Sequence, residues 1–222
     1  MNVLLFGATG MVGQGVLREC LLDANAQLVQ TVGRTALAIQ HSKLRDVVDP
    51  DLLHYDALEA SLSGFDACFF CLGVSSSGMA EQDYERVTYR ITLAAAEVLC
   101  RLNPQMTFIY VSGAGTDSSE RGRIMWARVK GKTENALLRL PFSAAYMFRP
   151  GIIEPLDGIR SKTAAYRVFY AVGKPLLPLL RLAFPNHVLT TRQIGRAMLR
   201  VATHGWPKYV LESRDIRAAA QL

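Results

Sequence analysis

Val3-Leu4-Leu5-Phe6-Gly7-Ala8-Thr9-Gly10-Met11-Val12-Gly13 sets the architecture of this chain. Four successive apolar residues closed by a glycine read as a strand buried on both faces. From Met11 to Leu22, Val12, Val16, Leu17 and Cys20 recur at helical spacing, so a helix starts directly after the turn. In such a strand–turn–helix unit Gly7 permits the tight turn. Gly10 lets the backbone approach a pyrophosphate, and Gly13 lets helix and strand pack closely. Free amides and the helix dipole at the start of the helix favour phosphate. Gly15 follows at a helix cost of about 1 kcal/mol against Ala, which incidental glycines would not repeat. The turn therefore predicts dinucleotide binding.

The same alternation runs outward through the first two thirds of the chain. Strands are expected at Gln27–Val32, Leu44–Val48, Asp66–Leu72, Met106–Val111 and Ala144–Phe148. Helices are expected at Gln82–Leu102, with Val87, Ile91, Ala94, Ala95 and Val98 inward, and at Arg123–Leu140. Pro104 and Pro141 follow those two helices and support their ends. Repeated strand–helix units predict an α/β fold: a three-layer, doubly wound parallel sheet. After Arg149 the pattern changes. Helices are expected at Thr163–Phe184, interrupted by prolines, and at Thr191–Ala202, with a short strand at Lys208–Leu211. Residues 1–222 thus read as one domain, with 151–222 a small helical lobe on the substrate side.

Composition agrees with a packed domain. Half of the 222 residues are hydrophobic and 20% are charged, which excludes a largely disordered chain. The formal charge of +6 suits an anionic ligand, but the basic residues are dispersed. The densest stretch, Arg121 to Arg139, contains Glu134 and reads as a helix with a solvated face. No recognised motif accompanies the charge, so nucleic-acid binding is not expected. Four cysteines make no disulfide framework, and a reducing cytoplasm is the expected compartment. No signal peptide is read at the N-terminus, and no apolar run is long enough for an integral membrane segment.

Cofactor choice is read at the end of the second strand, Thr31-Val32-Gly33-Arg34-Thr35. An acid about 20 residues beyond the glycines would hold the ribose hydroxyls of NAD. None is near; the next is Asp46. Arg34 offers a planar cationic fork for a 2′-phosphate, so NADP is the expected cofactor, with NAD the alternative.

These residues resemble the short-chain dehydrogenase/reductase superfamily with its Rossmann fold, and within it the atypical, epimerase/dehydratase-like branch near NmrA-like proteins and the Tat-interacting-protein type of oxidoreductase. Beyond the glycine turn, the likeness rests on Cys71-Leu72-Gly73, Gly78-Met79-Ala80, Tyr84-Glu85-Arg86-Val87, Arg149-Pro150-Gly151, Leu189-Thr190-Thr191 and Ile194-Gly195-Arg196-Ala197. The resemblance implies cofactor contacts at Gly7, Thr9, Gly10, Met11, Val12, Arg34, Leu72, Gly73, Val111, Ser112, Lys130 and Pro150, with Leu58 reaching the adenine. It also implies a Ser–Tyr–Lys chemistry, carried over to Ser112 and Lys130 as catalytic residues. The tyrosine position, four before the lysine, is Trp126. An indole has one N–H donor and no accessible titration, so it cannot serve as acid or base. Tyr84, Tyr89, Tyr166 and Tyr170 are the candidate surrogates.

Two functions follow. One is an NADP-binding oxidoreductase or epimerase acting on a small carbonyl or sugar-like substrate with non-standard proton delivery. The other is a non-catalytic NAD(P)-binding sensor or scaffold. Cys68 and Cys71 have the spacing of a redox pair but lie in a strand, on opposite faces, and read as core. The histidines lack metal-ligand spacing and no metal is expected. Gly113 to Gly122 reads as a polar, flexible loop that shapes a substrate entrance or simply connects. Val168 to Phe184 is expected to line the cleft, with a dimer interface or peripheral membrane contact as alternatives; the chain is expected to be a monomer or a homodimer.

Overall fold

The computed structural model of the chain describes residues 1–159 and 187–221. Its main sheet is built from β1 (Asn2–Phe6), β2 (Leu28–Gly33), β3 (Leu44–Val48), β4 (Ala67–Phe70), β5 (Thr107–Val111), β6 (Ala144–Arg149) and β9 (Val210–Glu212). The spatial order is β3-β2-β1-β4-β5-β6-β9 and every neighbour pair is parallel. The chain moves outward one way from β1 to β3 and the other way from β4 to β6. The reversal leaves a crevice between the carboxyl ends of β1 and β4, where doubly wound sheets bind ligands. A Rossmann-like α/β fold is therefore present.

Alternation along the strands makes two cores. Val3 and Leu5 of β1 face α1 (Met11–Leu22) and α5 (Thr191–His204), with Val16, Cys20, Ile194 and Met198 buried there. Leu4 and Phe6 face the other layer, α3 (Ile91–Leu102) and α4 (Met125–Leu137), over Ala95, Leu99 and Leu137. Phe6, Phe70 and Phe108 stack across three strands on this side, with ring centroids 5.1 and 5.9 Å apart. Each such pair adds about 0.5–1.5 kcal/mol beyond its burial. Cys68 packs in this second core and Cys71 against the first, and burial pushes both thiols up. They are core residues on opposite faces.

The helix expected over Gln82–Leu102 is not uniform. It runs as α2 (Glu81–Glu85), a π turn (Arg86–Arg90) and α3. The extra residue in the π turn shifts the phase, so Thr88 and Thr92 point inward while Val87 is only half-buried. Thr92 Oγ1 donates to the Thr88 carbonyl oxygen at 2.6 Å. Outside, Glu81–Arg128 at 2.8 Å and Glu85–Lys132 at 2.6 Å tie α2 to α4.

The described elements β9, α5 and the last helix join the main body. β9 extends the sheet beside β6, α5 crosses α1, and α6 (Ser213–Ala219) buries Ile216 and Ala219 in the first core. A two-stranded parallel sheet of β7 (Ile152–Glu154) and β8 (Val188–Thr190) is also present, and neither strand is among the expected elements. The helix and the cleft-lining role expected within Thr163–Phe184 lie outside the described residues. Among the described residues no helix is long and apolar enough to cross a membrane.

Candidate functional site

At the crevice, Gly7 has φ +78°, a left-handed conformation, and a Cβ there would lie 2.6 Å from the backbone of Cys71 and Leu72. The turns after β1 and β4 touch, and only a glycine fits between them. A Cβ at Gly13 would lie 2.1 Å from the Gly7 carbonyl oxygen, so this glycine serves packing of α1 on the turn. Gly15 has a different role: its missing Cβ admits Thr191, whose own Cβ would be 2.5 Å away, at the α1–α5 crossing. Gly10 is less confined, with only the Gly7 carbonyl oxygen near, at 3.3 Å. It is the N-cap of α1 and provides no side-chain cap, and the first turn holds no acid. The first-turn amides of Met11 and Val12 therefore lack a side-chain acceptor, and the helix dipole is uncompensated there. This donor set fits a pyrophosphate.

The turn opens into a cleft of about 110 Å³ lined by Gly7, Thr9, Arg34, Leu72, Thr31 and Asp46, among others. Arg34 is exposed in the loop after β2, and no hydrogen bond or ion pair holds its guanidinium among the described residues. The reading that no acid lies near this strand end needs correction. β3 pairs with β2 in a register that sets Asp46 beside Thr31. Thr31 Oγ1 donates to Asp46 Oδ1 at 2.5 Å, and the Leu37 amide donates to Oδ2 at 2.7 Å. Fifteen positions of separation hid what sheet pairing brings together. Gly73 follows Leu72 and is exposed. Leu58 sits on a short 3-10 helix, Asp56–Ser61, packs against the second core and is not part of the cleft lining.

At the other end of the crevice the strand ends of β5 and β6 meet α4. Lys130 Nζ donates to the Ser112 carbonyl oxygen at 2.5 Å and lies 5.9 Å from the Tyr110 ring centroid. Burial lowers its pKa to about 8, against an opposing pull from Glu134. Ser112 Oγ is already engaged: it donates to Glu134 Oε1 at 2.5 Å and contacts the Phe148 carbonyl oxygen at 3.1 Å. Glu134 is 1% exposed, and Arg149 donates to it through Nε at 3.0 and 3.2 Å and through Nη2. Glu134 therefore does not lie on a solvated helix face, as its basic neighbours suggested. It joins Ser112, directly after β5, to Arg149 of β6. Val111 is half-buried at the end of β5, and Pro150 is buried, its carbonyl oxygen accepting from the Ala114 amide at 2.9 Å.

Trp126 stands one turn before Lys130 on α4 and is half-buried. Its ring lies against Gly115, where an added Cβ would be 3.6 Å from the ring edge. The residue at the tyrosine position is therefore beside the loop after β5. Two of the surrogate phenols, Tyr84 and Tyr89, lie among the described residues. Tyr84 is buried, Tyr89 stacks with Lys132 at 4.5 Å, and Tyr166 and Tyr170 lie outside the described residues. The Gly113–Gly122 loop, read from its composition as flexible, is pinned. Asp117 accepts from the Ser119 amide at 3.0 Å and the Gly122 amide at 2.6 Å. Its own carbonyl oxygen would lie 1.8 Å from a Cβ at Gly131, so α4 docks on this loop through bare backbone. Among the described residues no cluster of His, Cys, Asp or Glu could hold a metal.

A model of the NAD dependent epimerase/dehydratase family matches residues 3–120. The chain belongs to the NAD-dependent epimerase/dehydratase family. The family is one of dinucleotide-binding proteins. Among relatives, it is 28% identical over 155 residues to Protein FMP52-2, mitochondrial, of Scheffersomyces stipitis, spanning 68% of this chain and 66% of that one. It is 26% identical over 155 residues to Protein HTATIP2 of Rattus norvegicus, spanning 68% of this chain and 62% of that one. The latter represents the branch that the motifs resemble. Two solved structures share the fold. The Bordetella bronchiseptica enzyme WbmF in complex with NAD+ has a TM-score of 0.68 at 16% identity, covering 99% of this chain and 77% of that one. An oxidoreductase of the short-chain dehydrogenase/reductase family from Burkholderia thailandensis has a TM-score of 0.69 at 16% identity, covering 98% and 92%. The expected cytoplasmic location is overturned by the fungal relatives, whose names are mitochondrial. Unpaired cysteines report the redox state of a compartment, not its address.

Proposed function

We propose that this family member binds NADP(H) at the β1–β4 crevice and reduces a small carbonyl substrate there. The observation that carries the reading is the uncapped glycine turn opening on a cleft that also holds Arg34, whose guanidinium has no partner among the described residues. In this reading Gly7, Thr9, Gly10, Met11 and Val12 take the pyrophosphate, and Arg34 takes the 2′-phosphate. Leu72, Gly73, Val111 and Pro150 border the path to the nicotinamide end, where Lys130 holds the ribose. The nicotinamide supplies the hydride when bound. Trp126 cannot supply the accompanying proton. Lys130, with a pKa lowered to about 8 by burial, is the group assigned to that proton in this reading. Ser112 acts by fixing the end of β5 through Glu134, not by a free hydroxyl.

A second reading has its own support. The committed Ser112 hydroxyl and the indole of Trp126 both favour a protein that keeps the cofactor and has lost turnover, a sensor or scaffold. Calorimetric titration with NADPH and NADH tests binding. Stopped-flow absorbance at the NADPH band against aldehydes, quinones and ketones then separates the two. Oxidation of NADPH by any member of the panel supports the enzyme, and tight binding with no oxidation supports the sensor.

A further inference from the structure

The adenosine end of the cleft carries two opposite charges that no pattern in the linear sequence joins. Arg34 lies in the loop after β2, and Asp46 comes from β3, the edge strand. Both line the same cleft. We infer that Asp46 sets the cofactor preference of this site: its carboxylate accepts the ribose hydroxyls of a nicotinamide dinucleotide and opposes the 2′-phosphate that Arg34 attracts. The inference rests on the reading of this cleft as the adenosine end of the cofactor site.

The carboxylate is held from two sides. Thr31 Oγ1 donates to one oxygen at 2.5 Å and the Leu37 amide to the other at 2.7 Å. Each carboxylate oxygen accepts more than one hydrogen bond, so both keep capacity toward a ligand. Asp46 is exposed and lines the cleft, and its partner Thr31 is buried in the sheet. The Leu37 contact also closes the loop that bears Arg34, so the two charges keep a common frame. A 2′-hydroxyl beside this carboxylate donates to it. A 2′-phosphate brings like charge to the same place, and Arg34 offsets that repulsion. The balance gives a site that takes both dinucleotides, with Asp46 holding the preference closer to NAD(H) than Arg34 alone would set it.

Asp46→Asn is the test, because the carboxamide retains the shape. Its oxygen accepts from the Leu37 amide and its nitrogen donates to Thr31 Oγ1, so the loop stays closed. Affinities for NADPH and NADH are measured by calorimetry on the wild type, on Asp46→Asn and on Arg34→Ala. The ratio of NADPH to NADH affinity is expected to rise about tenfold in Asp46→Asn, since one charge is removed from a solvated cleft. The gain should shrink with added salt. Arg34→Ala should move the ratio the opposite way. Asp46→Ser, which also removes the charge, gives the same readout if the asparagine variant does not fold. A ratio that stays within twofold of wild type, or falls, overturns the role of Asp46 while the dinucleotide reading stands. A folded wild type that binds neither NADPH nor NADH overturns the dinucleotide reading, and this inference with it.

Discussion

The proposed chemistry turns on Trp126 and Lys130. They lie four residues apart on α4, so they share one helix face. A well-placed general acid contributes about 10²–10⁴-fold in rate. Trp126→Tyr is therefore expected to raise NADPH-dependent carbonyl reduction by about that factor, and Lys130→Ala in the same chain to cancel the gain. Cofactor affinity and circular dichroism check the fold. A folded, cofactor-binding Trp126→Tyr protein no faster than wild type would favour the sensor. Lys130 also has a signature in stability. Its pKa in the fold, about 8, lies below the ordinary lysine value of 10.5. Between those values the unfolded chain binds more protons than the folded one, so the Lys130 contribution to stability rises with pH through that window. Urea unfolding across it should show a positive slope that Lys130→Met reduces; equal slopes would mean Lys130 titrates normally.

The element that matters most is the turn between β1 and α1, where adjacent glycines do different work. A Cβ at Gly13 meets the Gly7 carbonyl oxygen at 2.1 Å, whereas at Gly10 the same atom is 3.3 Å away. Gly13→Val must push helix and strand apart and should lower stability by about 1–3 kcal/mol or more. Gly10→Val should retain the melting temperature and lose dinucleotide binding, because its side chain occupies the place of the pyrophosphate. Calorimetric melts and NADPH titration of both variants separate packing from binding. The spacing of these glycines was legible in the sequence because strand, turn and helix are contiguous there. The role of Gly15 was not, because its partner, Thr191, comes from a helix 176 positions later.

At the scale of the whole molecule, the last segment completes the sheet. β9 pairs with β6, and Leu211, Ile216 and Ala219 are fully buried. Arg149 at the end of β6 contacts Glu212 of β9 at 3.4 Å as well as Glu134 of α4. Deletion of residues 206–221 would uncover the β6 edge and part of the first core. The truncated chain should lose its cooperative melt and aggregate, as seen by calorimetry and light scattering. A cooperative melt near the wild-type temperature would show that the segment is an appendage.

Local pattern alone determined the order of strands and helices in the first two thirds, the parallel sheet they imply, and the glycine turn. Each of these rests on residues within one or two turns of each other, where periodicity and backbone freedom act directly. Tertiary structure alone decided the rest. Asp46 enters the cleft by the β2–β3 register, Glu134 turns inward because Arg149 and Ser112 meet it across the β5–β6 ends, and the π turn resets which face of its helix is buried. A charge looks solvated in a sequence until packing supplies its partner. Whether it is buried, paired or free is a property of elements meeting in space, which local composition does not encode.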